Sequence, residues 1–264
     1  KPTVYKNCFK CVVASALFSF VFVGCEDGGK KDSSFVGPSH PEDIVYPEYV
    51  FDVPKADLFL ETLDNGVSVF IAEDRELPLI RVVATFKGGK YLDPDNRVGL
   101  TNIMASLIRS GGTSTVSAEE LDEALAFLAA NVGVGGGLSS VTATLDCLES
   151  NFKESFDLFL DMLQNPAFQD SRVRVEKDDA VEAMKQRNDY PSSILNREFS
   201  SKMYGDSYLG TVPVADSVES IDKDLLLDQH NKIISPANLI LSISGDFDRN
   251  EMIVLINETV GQWD

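Results

Sequence analysis

Gly99-Leu100-Thr101-Asn102-Ile103-Met104-Ala105-Ser106-Leu107-Ile108 is the stretch on which the reading of this chain turns. Leu100, Ile103, Met104, Leu107 and Ile108 fall at i, i+3, i+4, i+7 and i+8, the spacing that lines one face of a helix. Gly111-Gly112 closes that helix. Upstream, Leu60 to Leu63 and Val67 to Ala72 flank Asp64-Asn65-Gly66, which predicts a β-hairpin because Asn-Gly tolerates positive φ. Leu79 to Phe86 reads as a third strand ended by Gly88-Gly89.

Downstream, Ser117 with Glu120 three residues later is a capping box, opening a second helix that runs through Ala130. Gly133 to Gly137 lacks any phosphate-loop pattern that opens a helix and reads as a flexible edge strand. The alternating run Ser140 to Cys147 is another strand, and Ser150 to Leu163 has helical spacing stopped by Asn165-Pro166. Asp170 to Asn188, Ser192 to Met203 and Lys223 to Lys232 read as helices. Leu239 to Ser244 is a last strand and Arg249 to Val260 a last helix. Strands and helices mix without strict βαβ alternation, so the class is α+β.

Composition narrows the function. With 23 Lys plus Arg against 42 Asp plus Glu, the net charge of −19 repels a phosphate backbone, which argues against nucleic acid as a partner. Lys1, Lys6 and Lys10 precede an apolar run from Cys11 to Val23 that is too short to span a bilayer, the pattern of an export signal. Its end, Phe22-Val23-Gly24-Cys25, resembles the lipobox of bacterial lipoproteins, which implies lipidation at Cys25 and a membrane contact through that anchor. Residues 26–54 contain a Gly-, Ser-, Lys- and Pro-rich tether, and residues 55–264 form the folded domain. The expected location is the bacterial cell envelope, on its periplasmic or surface side. Only Cys147 remains in the domain. It sits in a strand pattern and reads as a small buried hydrophobe.

Asp93-Pro94, the helix Gly99 to Ser106 and Gly112-Thr113 together resemble the signature region of the pitrilysin/insulinase metallopeptidases, which include the mitochondrial processing peptidases. Asn165-Pro166-Ala167-Phe168, Asn188-Asp189-Tyr190-Pro191 and Ser235-Pro236-Ala237-Asn238 before Ile243-Ser244-Gly245-Asp246 extend the likeness over most of residues 55–264. The resemblance implies an antiparallel or mixed sheet covered by helices on one face. It also implies an inverted zinc motif, two His one turn apart with a Glu that activates water. Here those positions carry Asn102 and Ser106 for the two His and Ala105 for the Glu. The third ligand position falls on Ala183 and the supporting acid on Glu176, with Glu182 as the neighbour if the register slips by one.

Amide, hydroxyl and methyl groups are poor or absent zinc donors, so zinc is expected to be lost together with peptide cleavage. The two His of the chain, His40 and His230, are read as surface or capping residues, and the acidic run Glu176, Asp178, Asp179 and Glu182 as a solvated face. The resemblance then implies a pseudopeptidase: a lipid-anchored, non-catalytic half of a metallopeptidase assembly. Its partner would be an active homologous subunit or a second homologous domain beyond residue 264. A peptide ligand would lie along the edge strand near Gly133 to Leu138. The alternative is an exported structural or binding lipoprotein that uses the fold as a scaffold.

Overall fold

The computed structural model describes residues 55–263 together with His40, Glu42, Ile44, Tyr46, Phe51 and Val53. The export signal, Cys25 and most of the tether lie outside the described residues. The chain separates into two units, Lys1–Val53 and Pro54–Asp264. In the first, His40 is exposed and accepts a hydrogen bond through Nδ1 from the Glu42 N–H.

The second unit is built on one six-stranded mixed sheet. Its strands are β1 (Leu60–Thr62), β2 (Ser68–Glu73), β3 (Leu79–Lys87), β4 (Asn131–Gly136), β5 (Ser140–Leu148) and β6 (Leu239–Gly245), in the spatial order β1-β2-β6-β3-β5-β4. All neighbours are antiparallel except β2 and β6, which run parallel with Val69 opposite Leu241 and Ile71 opposite Ile243. The sheet is therefore mixed. The last strand in sequence is inserted between β2 and β3, a placement that hydrophobic alternation cannot reveal. The strand period of two sends Ile80, Val82, Ala84 and Phe86 of β3 to one face, with Val141, Ala143, Leu145 and Cys147 of β5 beside them, all buried. The other face carries Thr85 opposite Thr142, Val83 opposite Thr144 and an Arg81–Asp146 pair at 3.6 Å, none of them fully buried.

The apolar face is covered by helices. α1 (Leu100–Ser110) buries all five of the apolar side chains that define its stripe. Each contributes roughly 2 kcal/mol gross from the area it removes from water. α2 (Ala118–Phe127) has the anticipated capping box, with the Ser117 Oγ accepting from the Glu120 N–H and the Glu120 carboxylate from the Ser117 N–H. It ends three residues sooner than the sequence pattern indicated. Ala129 adopts a φ of 50° and the chain turns into β4. α3 (Phe152–Gln164) brings Phe152, Phe156 and Phe159 into the core, successive rings stacked at 5.2 and 6.3 Å. α4 (Asp170–Gln186), α5 (Pro191–Tyr204), α6 (Ala215–Glu219), α7 (Lys223–Ile233) and α8 (Arg249–Glu258) complete the unit. The five-residue α6 has no periodic signature and was not foreseen.

His230 corrects the surface reading. It is buried on α7, its Nε2 lies 2.8 Å from the Leu163 carbonyl at the end of α3, and Phe168 packs edge-on against its ring at 6.2 Å. Capping is its role, carried out from inside the core on a neighbouring helix. Loss of hydration holds its pKa below the ordinary value.

Candidate functional site

The start of α1 is fixed by a buried polar cluster. The Asp93 carboxylate accepts from the N–H of Gly99 at 2.9 Å, the N–H of Thr101 at 3.0 Å and the Thr101 hydroxyl at 2.5 Å. The Gln229 side chain on α7 donates to the Thr101 hydroxyl at 2.9 Å. These bonds satisfy donors that the first turn of a helix leaves without intrahelical partners. Burial raises the Asp93 pKa, and its hydrogen bonds and nearby Lys90 offset only part of that rise. Gly99 adopts a φ of 104°, and a Cβ there would sit 3.2 Å from Pro213. Glycine is thus required twice, by its conformation and by the wall it touches.

One residue further on is the candidate metal position. Asn102 is exposed and Ser106, one turn later, is half-buried, whereas Ala105 is completely buried at 0% exposure. Edge strand β4 presses against Asn102: a Cβ at Gly136 would lie 2.8 Å from the Asn102 Oδ1 and 3.1 Å from the Thr101 carbonyl oxygen. Gly136 therefore lets the end of β4 approach the helix closely, and the outer side of β4 has no strand partner in the sheet.

Opposite Asn102 stands α4. Glu176, Ala180, Ala183, Met184 and Arg187 follow at i, i+4, i+7, i+8 and i+11. With Asn102 they border one cavity of 410 Å³. The structure thus brings Asn102, Glu176 and Ala183 together, while Ala105 and Ser106 do not line this space. Glu182 is on the far side of α4, exposed, bonded to Lys185 at 3.0 Å and to Gln186 at 3.2 Å. Glu176 departs from the solvated acidic run to which the sequence assigned it. It is half-buried and faces the cavity, whereas Asp178, Asp179 and Glu182 are exposed.

A zinc ion does not fit this donor set. At the positions the resemblance assigns, the cavity offers the Asn102 amide and the Ala183 methyl group, with the one carboxylate of Glu176 at the supporting position. Among the described residues no three His, Cys, Asp or Glu side chains cluster so as to hold a metal. Cys147 offers no alternative, because burial pushes its thiol to about 11. Arg187, Arg197 and Pro213 are cavity residues that sequence reading missed. The periodicity of α4 could have exposed Arg187; nothing local marks the other two.

The family described as Insulinase (Peptidase family M16) matches residues 69–213. An uncharacterized zinc protease of Mycobacterium leprae is 26% identical over 157 residues, 56% of this chain and 34% of its own length. The non-peptidase homolog YmxG of Helicobacter pylori is 23% identical over 199 residues, 74% of this chain and 45% of its own. The chain thus spans less than half the length of either relative. Among solved structures, the peptidase M16 inactive domain from Pseudomonas fluorescens superposes with a TM-score of 0.70 at 19% identity, covering 75% of this chain and 49% of that one. The first half of the periplasmic protease PqqL from Escherichia coli gives 0.67 at 14% identity, with coverages of 77% and 46%. These likenesses show the fold. Because the matched region takes in more than half of its residues, the chain belongs to the insulinase family, peptidase family M16.

Proposed function

We propose that this chain is a non-catalytic half of an M16 assembly that holds peptides without cutting them, exported and anchored to the cell envelope through lipid at Cys25. The observation that carries this reading is the combination at α1. The helix is seated by a polar network in which the Gln229 carbonyl oxygen alone lacks a partner, yet the motif positions that the resemblance assigns carry Asn102, Ala105 and Ser106, and Ala105 is sealed in the core. A hydroxide bound to zinc needs donors and a base, and neither side-chain set supplies them. The open edge of β4 supports the peptide-holding role, since an extended chain can add to it by backbone hydrogen bonds.

A partner is supported by α5. None of its residues is buried, and Leu195, Phe199 and Met203, one turn apart, are 66%, 57% and 61% exposed. An apolar stripe of this kind on a helix marks an interaction surface. The partner would be an active homologous subunit or a second homologous domain of the same protein.

The reading is tested on the purified chain by metal analysis after zinc loading and by peptide-library cleavage with and without a chelator. Neither stoichiometric zinc nor chelator-sensitive cleavage is expected; both together would overturn it. Mass spectrometry of the membrane-extracted protein tests the anchor, which requires a diacylglyceryl adduct on Cys25.

A further inference from the structure

Helix α5 sits on the domain with its polarity reversed. A helix carried on a folded unit turns its apolar stripe inward and its polar face to water. In α5 the half-buried residues are Arg197 and Ser200, and the residues that border the neighbouring cavities are Ser193, Arg197 and Ser201. At about 100° per residue, Phe199 lies about 160° around the helix from Arg197, with Leu195 and Met203 one turn to either side. All three are exposed. The face turned toward the unit is thus polar and the face turned away is apolar, an arrangement that burial under a partner would stabilise.

The charges beside the stripe select the partner. Glu198 and Lys202 flank it on one side, one turn apart and both exposed. Glu198 meets a cation at one place, Arg197 at 3.4 Å, and Lys202 has no ion pair among the described residues. When two such helices lie antiparallel about a two-fold axis, each flank faces the same flank of the other copy. An axis level with Ser200 sets Glu198 of each helix opposite Lys202 of the other. The same register seats Phe199 of one helix between Met203 and Phe199 of the other, ridge into groove. Charge register and apolar register agree, so the face is complementary to itself. Residues 190–204 also hold two cations and one acid within a chain of net charge −19, which lets two copies meet here without the repulsion that the rest of the surface imposes.

We infer that α5 docks against α5 of a second copy of this chain in an antiparallel two-fold contact. This narrows the homologous partner proposed above to a copy of the same chain at this surface, and it does not depend on the non-catalytic reading. One helix face per copy falls below the roughly 800 Å² per partner of a standard interface, so the dimer is weak, formed at tens of micromolar and lost on dilution.

The test is sedimentation equilibrium of the full chain between about 1 and about 100 μM, where a weak dimer forms and dissociates. Glu198→Lys and Lys202→Glu, both at exposed positions, each set like charges opposite one another and should weaken self-association roughly tenfold or more. An equimolar mixture of the two variants should dimerise again, since every charge pair across the axis then joins a lysine to a glutamate. The double variant should do the same alone. Phe199→Ser should abolish the dimer with unchanged far-ultraviolet circular dichroism. A chain that stays monomeric at the highest concentration overturns the inference, as does a dimer indifferent to both charge reversals or a mixture that fails to recover. Chelator-sensitive cleavage would sink the non-catalytic reading and leave this contact standing, whereas a monomer removes this inference alone.

Discussion

The two ends of the first turn of α1 differ sharply in how they are furnished. At Asp93, Thr101 and Gln229 each polar group but the Gln229 carbonyl oxygen has a partner, and four of the bonds go to one half-buried carboxylate. One residue later, at Asn102 and across to Ala183, the positions to which the family resemblance would assign metal chemistry carry an amide and a methyl group. The difference separates two demands that an active enzyme places on the same helix. Seating a helix on a sheet needs a cap and an apolar stripe; holding a metal needs donors on the remaining face. This chain meets the first in full, so the fold stands without the second.

That contrast can be broken most forcefully at Ala105. Ala105→Glu places a carboxylate at a position with 0% exposure and should cost at least about 3 kcal/mol or leave the protein insoluble. Urea denaturation reads the loss. A well-tolerated glutamate would mean that the helix can rotate to present it. Next in size is Asp93→Ala, which strips the acceptor from two backbone N–H groups, the Thr101 hydroxyl and the Gln229 amide and should lower stability by about 2 to 3 kcal/mol. A change near zero would show that water replaces the carboxylate, and the seating end would lose its special standing.

Gly136→Ala should cost about 1 to 2 kcal/mol, because the new Cβ meets the Asn102 Oδ1 and the Thr101 carbonyl oxygen. Adding Asn102→Gly should recover part of that. No recovery would assign the clash to the backbone alone.

The smallest effect concerns pH and lies away from both ends of the comparison, as a control on the core. His230 is neutral in the fold, its pKa lowered by desolvation. The unfolded chain, near the ordinary value of about 6.5, binds the proton first as pH falls. Stability from His230 is therefore fully present above that value and drains away as pH drops through the folded pKa. Thermal melts at about pH 7 and about pH 5 should show a larger drop for the native protein than for His230→Gln. Equal drops would mean that the imidazole is hydrated.

Much of the fold was legible because it is written in local periods. The alternation in β3 and β5, the stripe of α1 and the capping box at Ser117 each appear where spacing and turn chemistry put them. What was not legible depends on distant pairings. The parallel seat of β6 beside β2 is set by which strand completes the apolar face, and the burial of His230 is set by the carbonyl of Leu163 on another helix. The candidate site divides the same way. Asn102, Glu176 and Ala183 could be named through the family resemblance, and they border one cavity. Arg197 and Pro213 reach it from α5 and from the loop before α6, after turns that no local pattern dictates. Acidic neighbours on α4 hid the different orientation of Glu176.

The position of β6 has a consequence in time. Residues 239–245 bridge β2 and β3, so until they arrive the sheet exists only as two separate parts, the hairpin β1-β2 and the trio β3-β5-β4. Closure couples strands separated by about 170 residues of chain, which makes assembly slow by its topology. A polypeptide cut short of Leu239 holds nearly all the apolar residues of the core with no strand to join them. A growing chain therefore stays unlocked until residues 239–245 are available, and β6 is the strand that joins the two parts of the sheet.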